Sequence, residues 1–197
     1  MSIPEYDDPV PLFREWLAQA EAAEPVNPNA MALATVGTAG APSIRTVLLK
    51  GIEDDGAILF YTNIESHKGR ELRANPAAAA CFYWRQIERQ VRFEGDTEPV
   101  SDAEADAYFA SRQRGSQIGA WASAQSEVLE SRAVLERQVT RVEARFADGE
   151  VTRPPYWSGY RLRPRRIEFW LSQSSRLHYR LAYDRDGRGW RHCWLNP

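Results

Sequence analysis

Between residues 31 and 94 the chain is cut into short runs of β-forming residues, nearly all closed by a turn signal. Residues 31–36 lead into a turn at 37–40, 44–49 follow, and the acidic turn Glu53-Asp54-Asp55-Gly56 precedes 58–62. Further runs at 77–84 and 90–94 continue the pattern, interrupted by a short helical stretch at 66–74 that stops before Asn75-Pro76. This rhythm predicts antiparallel strands in a meander or barrel.

Helices are expected around that sheet. Val10, Phe13, Trp16, Leu17 and Ala20 recur at helical spacing, and Pro25 and Pro28 end the pattern. Ser101-Asp102-Ala103-Glu104 reads as a capping box opening a helix through residue 111. A longer helix is predicted over 126–146, with Leu129, Ala133, Leu135, Val139 and Val142 as its apolar positions. After Pro154-Pro155, strands are expected at 160–162, 167–171, 177–183 and 190–195. With 197 residues, no internal repeat and no linker, the reading is one α+β domain over 1–197, in which 1–29 form an N-terminal helical segment.

Several chemistries lack support. GxGxxG, GxxxxGK[ST], HExxH and GxSxG are all missing, and His67, His178 and His192 are too scattered for a zinc set, so no metal is expected. A net charge of −2 favours neither nucleic acid nor an anionic membrane. No apolar run of about 18 residues and no basic, apolar start is present, which reads as a cytoplasmic protein without a membrane partner. Cys81 and Cys193 have no metal-type spacing and read as buried small hydrophobes rather than a disulfide. Chemistry in such a chain points to a bound organic cofactor, and seven Trp, eight Tyr and seven Phe can supply a platform for a flat one.

What does stand out is basic and hydroxyl residues at the ends of elements. Arg45 and Lys50 bracket one strand; residues five apart face opposite sides unless the strand bends, so they serve two anions or one is a surface charge. Ser66-His67-Lys68-Gly69 opens a helix just after Tyr61-Thr62, an arrangement that suits a phosphate but also suits a solvated lysine. Tyr108 and Arg112, four apart, share a helix face near Ser116, as an anion site or as an arginine lying over a core tyrosine. Arg176, His178 and Arg180 alternate on one predicted strand face, which calls for an anionic ligand or for acids such as Glu168.

Taken in order, these segments resemble the pyridoxine/pyridoxamine 5'-phosphate oxidase family: R-T-V-L-L-K (45–50), F-Y-T-N (60–63), S-H-K-G-R-E-L (66–72), R-Q-V-R (89–92), Y-F-A-S-R (108–112), S-Q-I-G-A-W-A-S-x-Q-S (116–126) and I-E-F-W-x(5)-R-L-H-x-R (167–180). The resemblance implies an FMN-binding split barrel of Greek-key type and a homodimer with FMN at its interface, residues 167–197 forming dimerisation and substrate strands. On matching positions, Arg45 and Lys68 would bind the FMN phosphate with Ser126 nearby. Lys50, Tyr61, Thr62, His67, Gln90 and Gln125 would complete the cofactor set, joined by Trp170 and Arg180 from the partner subunit. Lys50, Tyr108, Arg112 and Ser116 would take the substrate phosphate, while Arg176 and His178 would flank the reacting carbon as catalytic residues. The implied reaction oxidises C4' of pyridoxamine or pyridoxine 5'-phosphate to pyridoxal 5'-phosphate, with O2 reduced to hydrogen peroxide.

The match departs from the family pattern at Tyr179 (an acid in R-L-H-D-R), Leu171 (a Gln), His67 (often Arg) and Trp194 (R-L-x-P). An Arg- and Tyr-bearing segment found in some relatives before the position of Pro4 is also missing. Two other functions stay open: a split-barrel oxidase of a phenazine precursor, which should not need a second phosphate site, and an FMN- or pyridoxal-phosphate-binding protein without turnover.

Overall fold

The computed structural model describes residues 2–197, a nine-stranded antiparallel sheet carrying five helices. In chain order the elements are α1 (Pro9–Ala23), β1 (Ala30–Val36), β2 (Pro42–Leu48), β3 (Gly51–Ile52), β4 (Ile58–Asn63), α2 (His67–Ala74), β5 (Ala77–Trp84) and β6 (Arg89–Pro99). Then come α3 (Asp102–Ala110), α4 (Arg114–Ala122), α5 (Arg132–Arg145), β7 (Trp157–Leu171), β8 (Tyr179–Asp186) and β9 (Gly189–Trp194).

The sheet curls into a split barrel. Its strands run β2-β1-β5-β6-β7-β4-β3, and β2 and β3 are one chain segment bent at Leu49-Lys50. At that corner the Leu49 N–H donates to Asn29 O and the Lys50 N–H to Leu59 O, so the backbone leaves the side of β1 and joins β4. The split lies at β7. One edge pairs with β6 over 160–171, while the other pairs with β4 over 157–162 and with β8 over 166–171. Between the two halves the register slips, leaving Arg165 as the extra residue beside Pro164. A bulge tolerates a proline, because no ladder donor is required there. The partner must be Gly95, since a Cβ at that position would lie 1.9 Å from Arg163 O.

Alternation builds the core. Leu33, Ala80, Phe93, Ile167 and Tyr183 pair in one row across five strands, and all are buried. Helix α1 is capped by Asp8, whose side chain accepts from the Val10 N–H, and it lays Leu12, Phe13, Trp16 and Ala20 onto that interior. Phe13 meets Phe93 edge-on at 5.0 Å between centroids, and Trp16 meets Phe169 at 5.3 Å. A smaller cluster of Phe109, Ile118, Val151 and Trp157 fixes α3 and α4 beside the barrel.

Some expectations need correction. The strands at 160–162 and 167–171 are one strand, which crosses Pro164 at the bulge. The helix expected at 126 begins at Arg132, because Ser126 takes φ 76 and cannot propagate a helix, and Leu129 is exposed. Helix α4 was not foreseen: Gly115 and Gly119 weaken its propensity, and packing of Ile118 and Ala122 supplies what propensity lacks. Arg176, His178 and Arg180 do not share a strand face. Ser175 (φ 58) and Arg176 (φ 61) are left-handed, so β8 starts only at Tyr179 and the first two lie in the preceding turn. Cys81 is half-buried and Cys193 exposed, since β9 is an edge strand.

Candidate functional site

A cleft of about 1020 Å³ opens where β2, β4 and the starts of α2 and α4 meet. Its first wall is built on cations. Ser66 caps α2, its hydroxyl accepting from the Gly69 N–H, and Gly69 is required there because a Cβ would sit 2.3 Å from Ile64 O. Within the first turn, the Lys68 ammonium is buried, donating to Thr62 Oγ1 (3.1 Å), Ser66 Oγ (3.2 Å) and Gln125 Oε1 (3.0 Å). All three acceptors are neutral. Burial, followed by repulsion from Arg45, lowers the Lys68 pKa to about 8.

Arg45 is held differently. Its guanidinium donates to Leu33 O (3.2 Å), to the hydroxyls of Thr35 and Ser43, and to Glu71 Oε2 (3.2 Å). Thr35 and Ser43 each donate to the same carboxylate oxygen at 2.6 Å, and His67 Nε2 lies 3.4 Å from the other. Burial alone would raise the Glu71 carboxyl; hydrogen bonds from Ser43 and Thr35, with His67 and Arg45, outweigh it and hold it below the usual range. The β1–β2 ladder explains the cluster, since Thr35 pairs with Ser43 and Leu33 with Arg45, putting all four on one face.

The second wall is aromatic. Tyr61 and Tyr108 stack at 4.0 Å, and Trp157 lies parallel to Tyr61 at 5.4 Å. Gly159 on β7 makes this possible, because a Cβ there would come within 2.7 Å of the Tyr61 ring. Over this wall sit the other cations. Arg112 lies 4.7 Å above the Trp157 ring and Lys50 Nζ lies 5.9 Å from Tyr108. The bend at Leu49-Lys50 brings Lys50 into the same cleft as Arg45, despite their spacing of five. Arg112 Nη1 is buried with no hydrogen-bond partner among the described residues, and burial lowers the arginine's pKa. A partly buried cation with an unpartnered N–H suits an anion.

The cleft therefore gathers Arg45, Lys50, Tyr61, Thr62, His67, Lys68, Tyr108, Arg112, Ser116, Gln125 and Ser126. Gln90, Trp170 and Arg180 do not line it; they pair in one row across β6, β7 and β8 on the opposite sheet face from the Phe93–Ile167 core row. Arg180 donates to Glu168 (2.9 Å), which also binds Arg92, so the acid partner considered for it from sequence is the one it has. Arg176 is exposed in its turn, and His178 packs against Trp170 at 4.6 Å, its Nδ1 accepting from the Gln173 N–H at 3.1 Å. Sequence reasoning missed Glu71 and Trp157. Glu71 lay inside the matched helix motif, but its partners come from β1 and β2; Trp157 had no signal, because its neighbours come from β4 and α3.

Comparison with known proteins adds independent findings. A family model described as pyridoxamine 5'-phosphate oxidase matches residues 17–146, and one described as the pyridoxine 5'-phosphate oxidase C-terminal dimerisation region matches 157–197. A pyridoxine/pyridoxamine 5'-phosphate oxidase of Rhodospirillum rubrum is 56% identical, covering 100% of both chains. Among solved structures, PhzG from Burkholderia lata, in complex with tetrahydrophenazine-1-carboxylic acid, is 35% identical with a TM-score of 0.91, covering 98% of this chain and 94% of that one. A pyridoxamine 5'-phosphate oxidase-related, FMN-binding protein of Nostoc punctiforme shares the fold at 19% identity, with a TM-score of 0.77 over 96% of this chain and 97% of that one.

Proposed function

Because the chain belongs to the pyridoxamine 5'-phosphate oxidase family, we propose that it oxidises the C4' carbon of pyridoxamine or pyridoxine 5'-phosphate to pyridoxal 5'-phosphate, using FMN. One observation carries the substrate reading: the cleft holds two separate cationic groups, Arg45 with Lys68 and Lys50 with Arg112. One suits the phosphate of FMN and the other that of the substrate.

The residues present fit FMN. Lys68 is buried among neutral acceptors at the start of α2, and a phosphate there would meet a fixed ammonium and the helix N-terminus. Arg45 offers a guanidinium pre-oriented by Glu71, Thr35 and Ser43. Thr62, Gln125 and Ser126 supply further polar contacts, with Tyr61 as a flat neighbour. When bound, the flavin supplies a two-electron acceptor that dioxygen re-oxidises, with hydrogen peroxide as the second product.

The chain's own task is positioning. Lys50, Tyr108, Arg112 and Ser116 grip the substrate phosphate, and grip on that remote group orients the reacting carbon. The matched dimerisation region supports assembly of two copies. In that assembly Trp170, Arg176, His178 and Arg180 reach the partner's cleft, with FMN at the interface. Arg176 and His178 then lie beside the carbon that loses hydride. Arg176→Ala should lower turnover far more than FMN content; unchanged turnover removes that assignment.

The test is to load the protein with FMN, exclude oxygen, add pyridoxamine 5'-phosphate and follow the flavin absorbance. Bleaching that reverses in air, with pyridoxal 5'-phosphate formed, is expected. A flavin that stays oxidised with both the amine and the alcohol phosphate refutes this reading. Reduction by a reduced phenazine precursor instead would favour the activity class suggested by the Burkholderia lata structure.

A further inference from the structure

The two cationic groups of the cleft are held by opposite means. Arg45 meets a carboxylate, Glu71, at 3.2 Å, so part of its charge is already answered inside the protein. Arg112 follows the end of α3 and meets ring faces: its guanidinium carbon lies 4.7 Å from the Trp157 centroid and 5.6 Å from that of Phe109. Burial lowers its pKa, the neighbouring Tyr108 phenol opposes that, and its buried Nη1 has no partner among the described residues.

Trp157 is itself buried and packed on several sides. It is 6% exposed, opens β7 opposite Asn63 of β4, lies parallel to Tyr61 and Tyr108, and meets Phe109 edge-on at 5.0 Å. We propose that Trp157 is a positioning residue for substrate binding: its indole face holds the Arg112 guanidinium in place over the cleft while leaving its full charge for the substrate phosphate. An aromatic face attracts a cation through its quadrupole and carries no net charge, so it orients without neutralising. A carboxylate in the same place would compete with a phosphate dianion. The inference rests on the reading of Lys50, Tyr108, Arg112 and Ser116 as the substrate-phosphate subsite.

The test uses the FMN-loaded protein, with steady-state kinetics on pyridoxamine 5'-phosphate, calorimetric binding of pyridoxal 5'-phosphate, and FMN affinity from flavin fluorescence. Trp157→Leu should raise KM and weaken pyridoxal 5'-phosphate binding by roughly 5- to 30-fold, the range expected for a desolvated cation–π contact. It should change kcat by less than about threefold and leave FMN affinity unaltered. Trp157→Phe, which keeps a ring, should recover much of the loss. In an Arg112→Gln background the further change Trp157→Leu should add less than about twofold, because the two act as one unit. If Trp157→Leu leaves KM and product binding unchanged, or if Phe is no better than Leu while FMN affinity falls in parallel, the role assigned to Trp157 is wrong. If Arg112→Gln itself leaves KM unchanged, the phosphate-subsite reading fails instead.

Discussion

Lys68 and Glu71 show how burial sets the electrostatics of single residues in this cleft. The Lys68 ammonium titrates at about 8 instead of 10.5, since burial strips its hydration and Arg45 repels it. A bound phosphate would favour its charged form, so FMN affinity should fall as pH rises through about 8, the window where the free protein loses that proton. Titration of the protein with FMN between pH 6.5 and 9.5 tests this; Lys68→Met should bind weakly at every pH and lack the step. For Glu71 the sign is reversed. A carboxylate held below its usual pKa stabilises the fold above the unfolded-state value, and that stabilisation is lost as pH falls through the folded one. Glu71→Gln should therefore be less stable than the parent by about 1–3 kcal/mol at pH 7. The gap should narrow as pH falls below the ordinary carboxylate range and Glu71 takes up its proton, as read from urea melts. The sequence placed Lys68 by its motif, but two of its three neutral acceptors, Thr62 and Gln125, and the Thr35 and Ser43 partners of Glu71 come from β1, β2, β4 and the loop at Gln125, which no local pattern connects.

Elements differ in how far their own residues specify them. Helix α3 is locally complete: Ser101 and Glu104 satisfy each other's backbone N–H groups, as the capping box predicts. Helix α4 and the 15-residue β7 are the reverse. α4 carries two glycines and exists because Ile118 and Ala122 pack and because buried Gln117 donates to Phe109 O at 3.0 Å, tying it to the end of α3. β7 contains Pro164, a strand-breaker that becomes acceptable only where the bulge opposite Gly95 removes the need for its N–H. Gly159 on the same strand leaves room for the Tyr61 ring. Gly159→Ala should displace that ring from Tyr108 and weaken cofactor and substrate binding several-fold. Circular dichroism should be unchanged; binding equal to the parent's would show that the ring can shift harmlessly.

At the scale of the whole molecule, the cleft and the row Gln90–Trp170–Arg180 lie apart in one chain, which the dimer reading resolves. Co-expression tests it directly. Arg112→Ala and Arg176→Ala should each be nearly inactive, yet a heterodimer of the two should recover one intact site if the residues meet across the interface. No recovery would place them in the same subunit's site. The sequence by itself determined the antiparallel class and the capping box of α3, because turn and cap signals are contiguous and carry their own physics, while the order of its motifs pointed to the family and, through that resemblance, to the cofactor. Tertiary structure alone decided that Arg45 and Lys50 share a cleft, because a bend at Leu49-Lys50 turns the chain from β1 to β4. It also decided that Arg176 and His178 leave the strand for a left-handed turn, and that Arg112 rests on Trp157 rather than on an acid. Those outcomes depend on contacts between residues far apart in sequence, where local spacing has no authority.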